Sequence, residues 1–102
     1  MSIKVPKYIQ KNAKKSLECI KKGSNAMTSV GRYRAKQLSS GKPISKSTLK
    51  KMYLFKRHLK NASYEGNYCK DKGAVAWLGW GGSISKGKGK LDAVKCAKRN
   101  LK

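Results

Sequence analysis

The chain has 102 residues and carries 26 Lys plus Arg against 4 Asp plus Glu, a formal charge of +22. That length supports one domain with a modest core, and Glu18, Glu65, Asp71 and Asp92 are too few to neutralise its surface from within. Such an excess excludes an ordinary solvated surface with a few spare cations, while a hydrophobic content of 38% excludes a disordered tail.

Residues 6–22 predict the first helix, because Ile9, Ala13, Leu17 and Ile20 recur at helical spacing. Pro6 suits its first turn and Gly23 the position just past its end. A linker, Ser24 to Met27, leads to Thr28 or Ser29 as the cap of a second helix running to about Ser39. Gly31, Ala35 and Leu38 fall on one side of it, the small residues permitting close packing, while Arg32, Arg34 and Lys36 are expected on exposed faces. Gly41 and Pro43 end this element.

Ser45 is a good cap for the third helix, with Ile44 placed to staple against Leu49. Leu49, Met52, Tyr53, Lys56 and Leu59 trace its stripe, Phe55 flanks it, and the helix should end near Asn61. Residues 61–72 read as a loop that Tyr64 and Tyr68 can pin to the core. From Gly73 to Gly82 the chain is most apolar, and Val75, Trp77, Leu78 and Trp80 predict a short buried helix stopped by Gly81 and Gly82. The two tryptophans are assigned to the core in preference to a base-stacking platform. Ser83 to Lys90 reads as a flexible basic spacer, followed by a last helix from about Leu91. Leu91, Val94, Ala97 and Leu101 form its apolar side, with Lys95, Lys98 and Arg99 facing out. The expected fold is therefore all-α: a bundle of four to five short helices without a sheet. Residues 1–82 form the basic core domain, and 83–102 form a Gly/Lys spacer and basic helix packed on or tethered to it.

Nearly all the cations are lysine; only Arg32, Arg34, Arg57 and Arg99 carry the guanidinium fork that reads guanine edges. The bias favours phosphate contact over sequence reading. Helices two and three suggest a helix-turn-helix, but the turn through Ser39 to Pro43 is long for one, and the third helix has few base-reading side chains. Lys86 to Lys90 lacks the spacing of a nucleotide loop. Cys19, Cys69 and Cys96 form an odd set with no short spacing and predict free thiols in a reducing compartment. With His58 they match no known zinc ligand spacing, so no metal site and no cofactor are expected. No apolar run reaches the ~20 residues of a membrane span, and Lys4, Lys7 and Lys11 interrupt any signal-peptide core. Neither a carboxylate cluster nor an identifiable Cys-His pair points to catalysis, so the chain is expected to be no enzyme and to take no small-molecule substrate.

Three stretches, VPKYIQKNAKKSLE (5–18), TSVGRYRAKQLSSGKPISKSTLKKMYLFKRH (28–58) and AVAWLGWGG (74–82), resemble a small domain of tailed phages and large DNA viruses. The middle stretch is the most specific, with small and basic residues at fixed spacing before a Ser-capped helix ending in Arg57 and His58. In phages such a module occurs among head-region gene products, which implies a virion setting, with host nucleus or cytoplasm during infection, and no particular chemistry. This chain departs from the module in its shortage of acids and in its Gly/Lys segment and basic last helix.

Charge and resemblance together lead us to expect a viral protein that holds DNA phosphates with little sequence preference, in genome condensation or packaging. The contacts are expected from Arg32, Arg34, Lys36, Lys46, Lys50, Lys51, Arg57, Lys86, Lys88 and Lys90. Two alternatives share the composition: a minor capsid or cement protein bridging acidic capsid proteins and the genome, and a ribosomal or other RNA-binding protein.

Overall fold

The computed structural model describes residues 2–101. Helix α1 spans Lys7–Lys21, just after Pro6, whose missing N–H is no loss there. Its far end closes in a Schellman motif: Ser24 N donates to Cys19 O at 3.0 Å and Gly23 N to Ile20 O at 3.0 Å, with Gly23 at φ +106°. The buried face differs from the predicted one. Ile9 and Ala13 are buried as expected, but Asn12, Ser16 and Cys19 complete the face, while Leu17 and Ile20 are only partly covered. The rotation has a polar cause. Asn12 Nδ2 donates to Gly81 O at 2.8 Å and to Ser83 Oγ at 2.9 Å, and Ser16 Oγ donates to Ala13 O at 2.7 Å, so both side chains are buried with partners.

Helix α2 (Ser29–Ser39) is capped by Thr28, whose hydroxyl accepts from Gly31 N at 3.2 Å. Helix α3 (Lys46–Leu54) is capped by Ser45, which accepts from Thr48 N at 3.3 Å. The chain then tightens into a 3₁₀ helix over Phe55–Asn61, so the third helical segment ends where expected but changes pitch partway. A short 3₁₀ turn, Tyr68–Lys70, lies within the predicted loop. Helix α4 (Lys72–Gly79) starts at Asp71, whose carboxylate accepts from Ala74 N at 2.9 Å, and stops before Gly81 at φ +94°. Helix α5 (Asp92–Asn100) closes the chain.

The all-α expectation holds for the five α-helices among the described residues but fails on the absence of a sheet. Two antiparallel two-stranded ribbons are present. In one, β1 (Ser2–Ile3) pairs with β2 (Ile44–Ser45); in the other, β3 (Ile84–Ser85) pairs with β4 (Lys88–Gly89). The second ribbon occupies the predicted spacer. Lys86 and Gly87, at φ +54° and +74°, form the two-residue turn that this kind of hairpin needs. Tyr64 N donates to Gly87 O at 2.9 Å, and Trp77 Nε1 donates to Ser83 O and Lys90 O at 3.2 and 3.1 Å. The segment is a fixed hairpin, not a tether.

The main core joins Val5, Ile9 and Ala13 of the N-terminal part to Leu38, Ile44, Leu49 and Met52, and to Ala93, Cys96 and Ala97 of α5. Residues 92–100 are thus packed into the same body as the rest. A second cluster surrounds Trp77, Ala62 and Val94. A third holds Ala26, Val75 and Cys19. Cys19 and Cys69 are joined in a disulfide with a Cα–Cα distance of 5.1 Å, across 50 residues of sequence. Cys96 alone is free, and it is buried. The expectation of three free thiols is overturned, and the reducing compartment inferred from them loses its basis. Thiol titration of the denatured, unreduced protein should find one reactive sulfur, and reduction should expose two more. Replacing the bridge by Cys19→Ser with Cys69→Ser should cost about 2–4 kcal/mol of stability, measured by urea unfolding. No helix among the described residues is long and apolar enough to cross a membrane.

Candidate nucleic-acid interface

The cations expected to contact phosphate divide by burial. Lys36, Lys46, Lys50, Lys51, Arg57, Lys86, Lys88 and Lys90 are exposed, and Arg32 is partly so. Arg34 is 6% exposed and is a correction to the predicted interface. Its Nη1 donates to Thr48 Oγ1 at 3.2 Å and to Gln37 Oε1, which ties α2 to the start of α3. Its guanidinium also lies 5.5 Å from the centre of the Trp80 ring. Arg34 Nε is buried without a partner. The desolvated charge is held by this packing and cannot reach a phosphate on the surface.

Of the remaining cations, Lys51, Arg57 and Lys90 line two concavities and Arg32 lines neither. Lys51 and Arg57 line a groove of about 590 Å³ between the start of α2, the end of α3 with its 3₁₀ extension, and α4. Arg57 Nη1 donates to Leu54 O at 3.2 Å, which anchors the guanidinium on its own turn. Lys90 lines a shallower hollow of about 760 Å³, where it meets Lys95 and Arg99 of α5. Lys36, Lys46, Lys50, Lys86 and Lys88 line neither. Lys46 and Lys50 are one turn apart on α3 and share a face. Sequence reasoning left Lys95 and Arg99 out of the candidate set, although their four-residue spacing on the exposed side of α5 was a usable signal.

Two of the four acids are turned to backbone groups. Asp71 caps α4, and Asp92 Oδ1 accepts from Ser83 N at 3.0 Å and Ala93 N at 2.9 Å. These carboxylates serve backbone donors within the fold, while every cation of the predicted set except Arg34 is at least partly exposed.

Two tyrosines record the local fields. Tyr8 OH donates to Asp92 O at 3.3 Å across α1 and α5, and burial, reinforced by Cys96, pushes its phenol up to about 12. Lys56 Nζ donates to Tyr53 OH at 2.7 Å, which lowers the Tyr53 phenol from its ordinary value. In a phenolate-absorbance titration Tyr8→Phe should remove an ionisation above the ordinary phenol range and Tyr53→Phe one below it. Because the Tyr8 value is raised on folding, its contribution to stability is full below its ordinary value near 10 and is lost as pH climbs through about 12.

The tryptophans separate. Trp77 is core at 1% exposure, whereas Trp80 is partly exposed and lines the groove with Lys51 and Arg57. Phe55 stacks on Trp80 at 4.8 Å with planes 18° apart, and His58 lies 4.7 Å from Phe55. Arg34, Trp80, Phe55 and His58 therefore form one column from the interior to the groove. Among the described residues, no group of three His, Cys, Asp or Glu is placed to hold a metal ion. No family model, curated protein or solved structure matches the chain.

Proposed function

We propose that this is a non-enzymatic, phosphate-holding protein that binds nucleic acid, DNA in preference to RNA, with little sequence preference. Its setting is a virion, where it condenses or organises packaged genome. The observation that carries the reading is the charge of +22 on 102 residues, with two of the few acids occupied by backbone N–H groups. Repulsion of that size opposes a compact state unless a dense polyanion screens it. Lysine dominance supports backbone contact over base reading, and the internal use of Arg34 removes one of the few arginines with the fork to read bases. The likeness of the stretches at 5–18, 28–58 and 74–82 to the viral head-region module supports the setting. The fixed hairpin presents Lys86, Lys88 and Lys90 at constrained positions, which lowers the ordering cost of each contact.

The test is binding to two unrelated duplexes across a range of salt, with structured RNA as competitor. A steep salt dependence and near-equal affinity for the two duplexes are expected. A flat salt response sinks the reading, and preference for RNA moves it to the RNA-binding class.

A further inference from the structure

The groove lined by Lys51 and Arg57 has features that phosphate binding does not explain. Val30 and Leu54 line it at 60% and 44% exposure, and Met27 and Ala76 add further apolar surface. A sugar-phosphate backbone would leave Val30 and Leu54 uncovered, whereas exposed aliphatics gathered in a concavity mark a surface for an apolar partner. We propose that this groove receives an acidic amphipathic helix of a partner protein, which inserts bulky apolar side chains between α2, the α3 corner and α4.

Charge selects the sign of the partner. Lys51 and Arg57 stand on the groove wall, and none of the residues lining it is acidic. The N-terminal end of α2, with its cap Thr28, also borders the groove and adds the positive end of a helix dipole. A second copy of this chain, itself at +22, is repelled from such a surface. An acidic helix meets the cations at the rim and the aliphatics at the floor.

Shape selects the mode. The walls are helical, so the groove offers no strand edge for an extended peptide to extend, and the helix-in-groove mode remains. Nucleobase stacking is disfavoured because the aromatic rings already pack on one another. Phe55 lies against both Trp80 and His58, and Trp80 lies against Phe55 and the Arg34 guanidinium. A base needs a free ring face.

The test uses the full chain and two synthetic helical peptides of identical composition. One carries Leu and Phe on a single face with Glu opposite, and the other has the same residues scrambled. Binding is measured in roughly 0.3 M salt, where the Debye length is shorter than the ~8 Å of physiological strength and bare charge attraction is weakened. The patterned peptide should bind about tenfold or more tightly than the scrambled one. Val30→Ser with Leu54→Ser, both at exposed positions, should remove that advantage while leaving duplex binding unchanged, and Lys51→Glu should weaken the patterned peptide in wild-type-like fold, checked by thermal melting. Equal binding of the two peptides, or an advantage that survives the double serine variant, overturns the proposal. So does oligothymidylate binding that the serine variant weakens, since the groove would then be a nucleic-acid surface. Failure of duplex binding in the unaltered protein would sink the nucleic-acid reading alone and leave this one standing.

Discussion

Affinity for duplex DNA should fall about 10³- to 10⁵-fold between roughly 50 and 200 mM salt, the response of a protein neutralising about six to ten phosphates. The accessible cations supply that number even without Arg34. Lys46, Lys50, Lys51 and Arg57 come from α3 and its extension, Lys86, Lys88 and Lys90 from the hairpin, and Lys95 and Arg99 extend the set. Each contact releases condensed counterions, so the logarithmic slope should be about −0.9 per phosphate. Lys46→Ala with Lys50→Ala should flatten that slope by about two and weaken unrelated sequences alike. Arg34→Ala should behave differently. It removes a buried group bonded to Thr48 and packed over Trp80, so the loss should appear as lowered stability, with the salt slope of the folded protein unchanged. Binding also stabilises the native state, by about 2.7 kcal/mol when free DNA is at a hundred times the dissociation constant. The melting temperature should therefore rise on adding DNA at low salt, and a flat response of both affinity and melting to DNA and salt would refute the electrostatic basis of the proposal.

What could be read from the chain in advance was what neighbouring residues decide. Thr28 and Ser45 cap the helices they precede because an N-cap needs only a hydroxyl and an N–H two or three residues on. Gly23 closes α1 for the same local reason, and Gly81 and Gly82 stop α4. What was not legible depends on partners far along the sequence. Asn12 is buried because Gly81 and Ser83 accept its N–H groups, 69 and 71 residues away. Cys19 finds Cys69 across 50 residues, and no short spacing announces it. Residues 83–90 lack the β-branched alternation of a strand, and their hairpin is held from outside by Trp77 and Tyr64. The switch to 3₁₀ geometry after Leu54 was also unreadable, yet it shapes the candidate groove. At three residues per turn, positions i and i+3 lie above one another, so Phe55 meets His58 at 4.7 Å. Charge abundance was visible at once, but which cations reach solvent was not, and Arg34 shows the cost of assigning exposure from a helical wheel alone.

Trp77→Ala should cost about 3–5 kcal/mol, a large part of the stability of a domain this small. The indole is 1% exposed and sits between the helical body and the hairpin, against Phe55 at 5.7 Å and in a cluster with Ala62 and Val94. Its N–H serves Ser83 O and Lys90 O, the carbonyls that flank the two strands, so one donor fixes the open end of the β3–β4 ribbon on both strands. Trp77→Phe keeps much of the apolar burial and deletes the donor, and it should cost less than the alanine change while loosening residues 83–90 specifically. Hydrogen exchange should show this as lost protection at Lys90 N, which donates to Ser83 O at 2.8 Å. Gly89 supplies an independent check. A β-carbon there would lie 2.6 Å from Ala62 Cβ and 3.1 Å from the indole nitrogen, so Gly89→Ala forces the ribbon away from Trp77, at about 1–3 kcal/mol. Urea unfolding at constant salt measures all three. A Trp77→Ala protein within about 0.5 kcal/mol of the wild type would mean that the indole does not hold the hairpin. The ribbon, only two residues long on each side, would then owe its placement of Lys86, Lys88 and Lys90 to the Tyr64 N bond to Gly87 O.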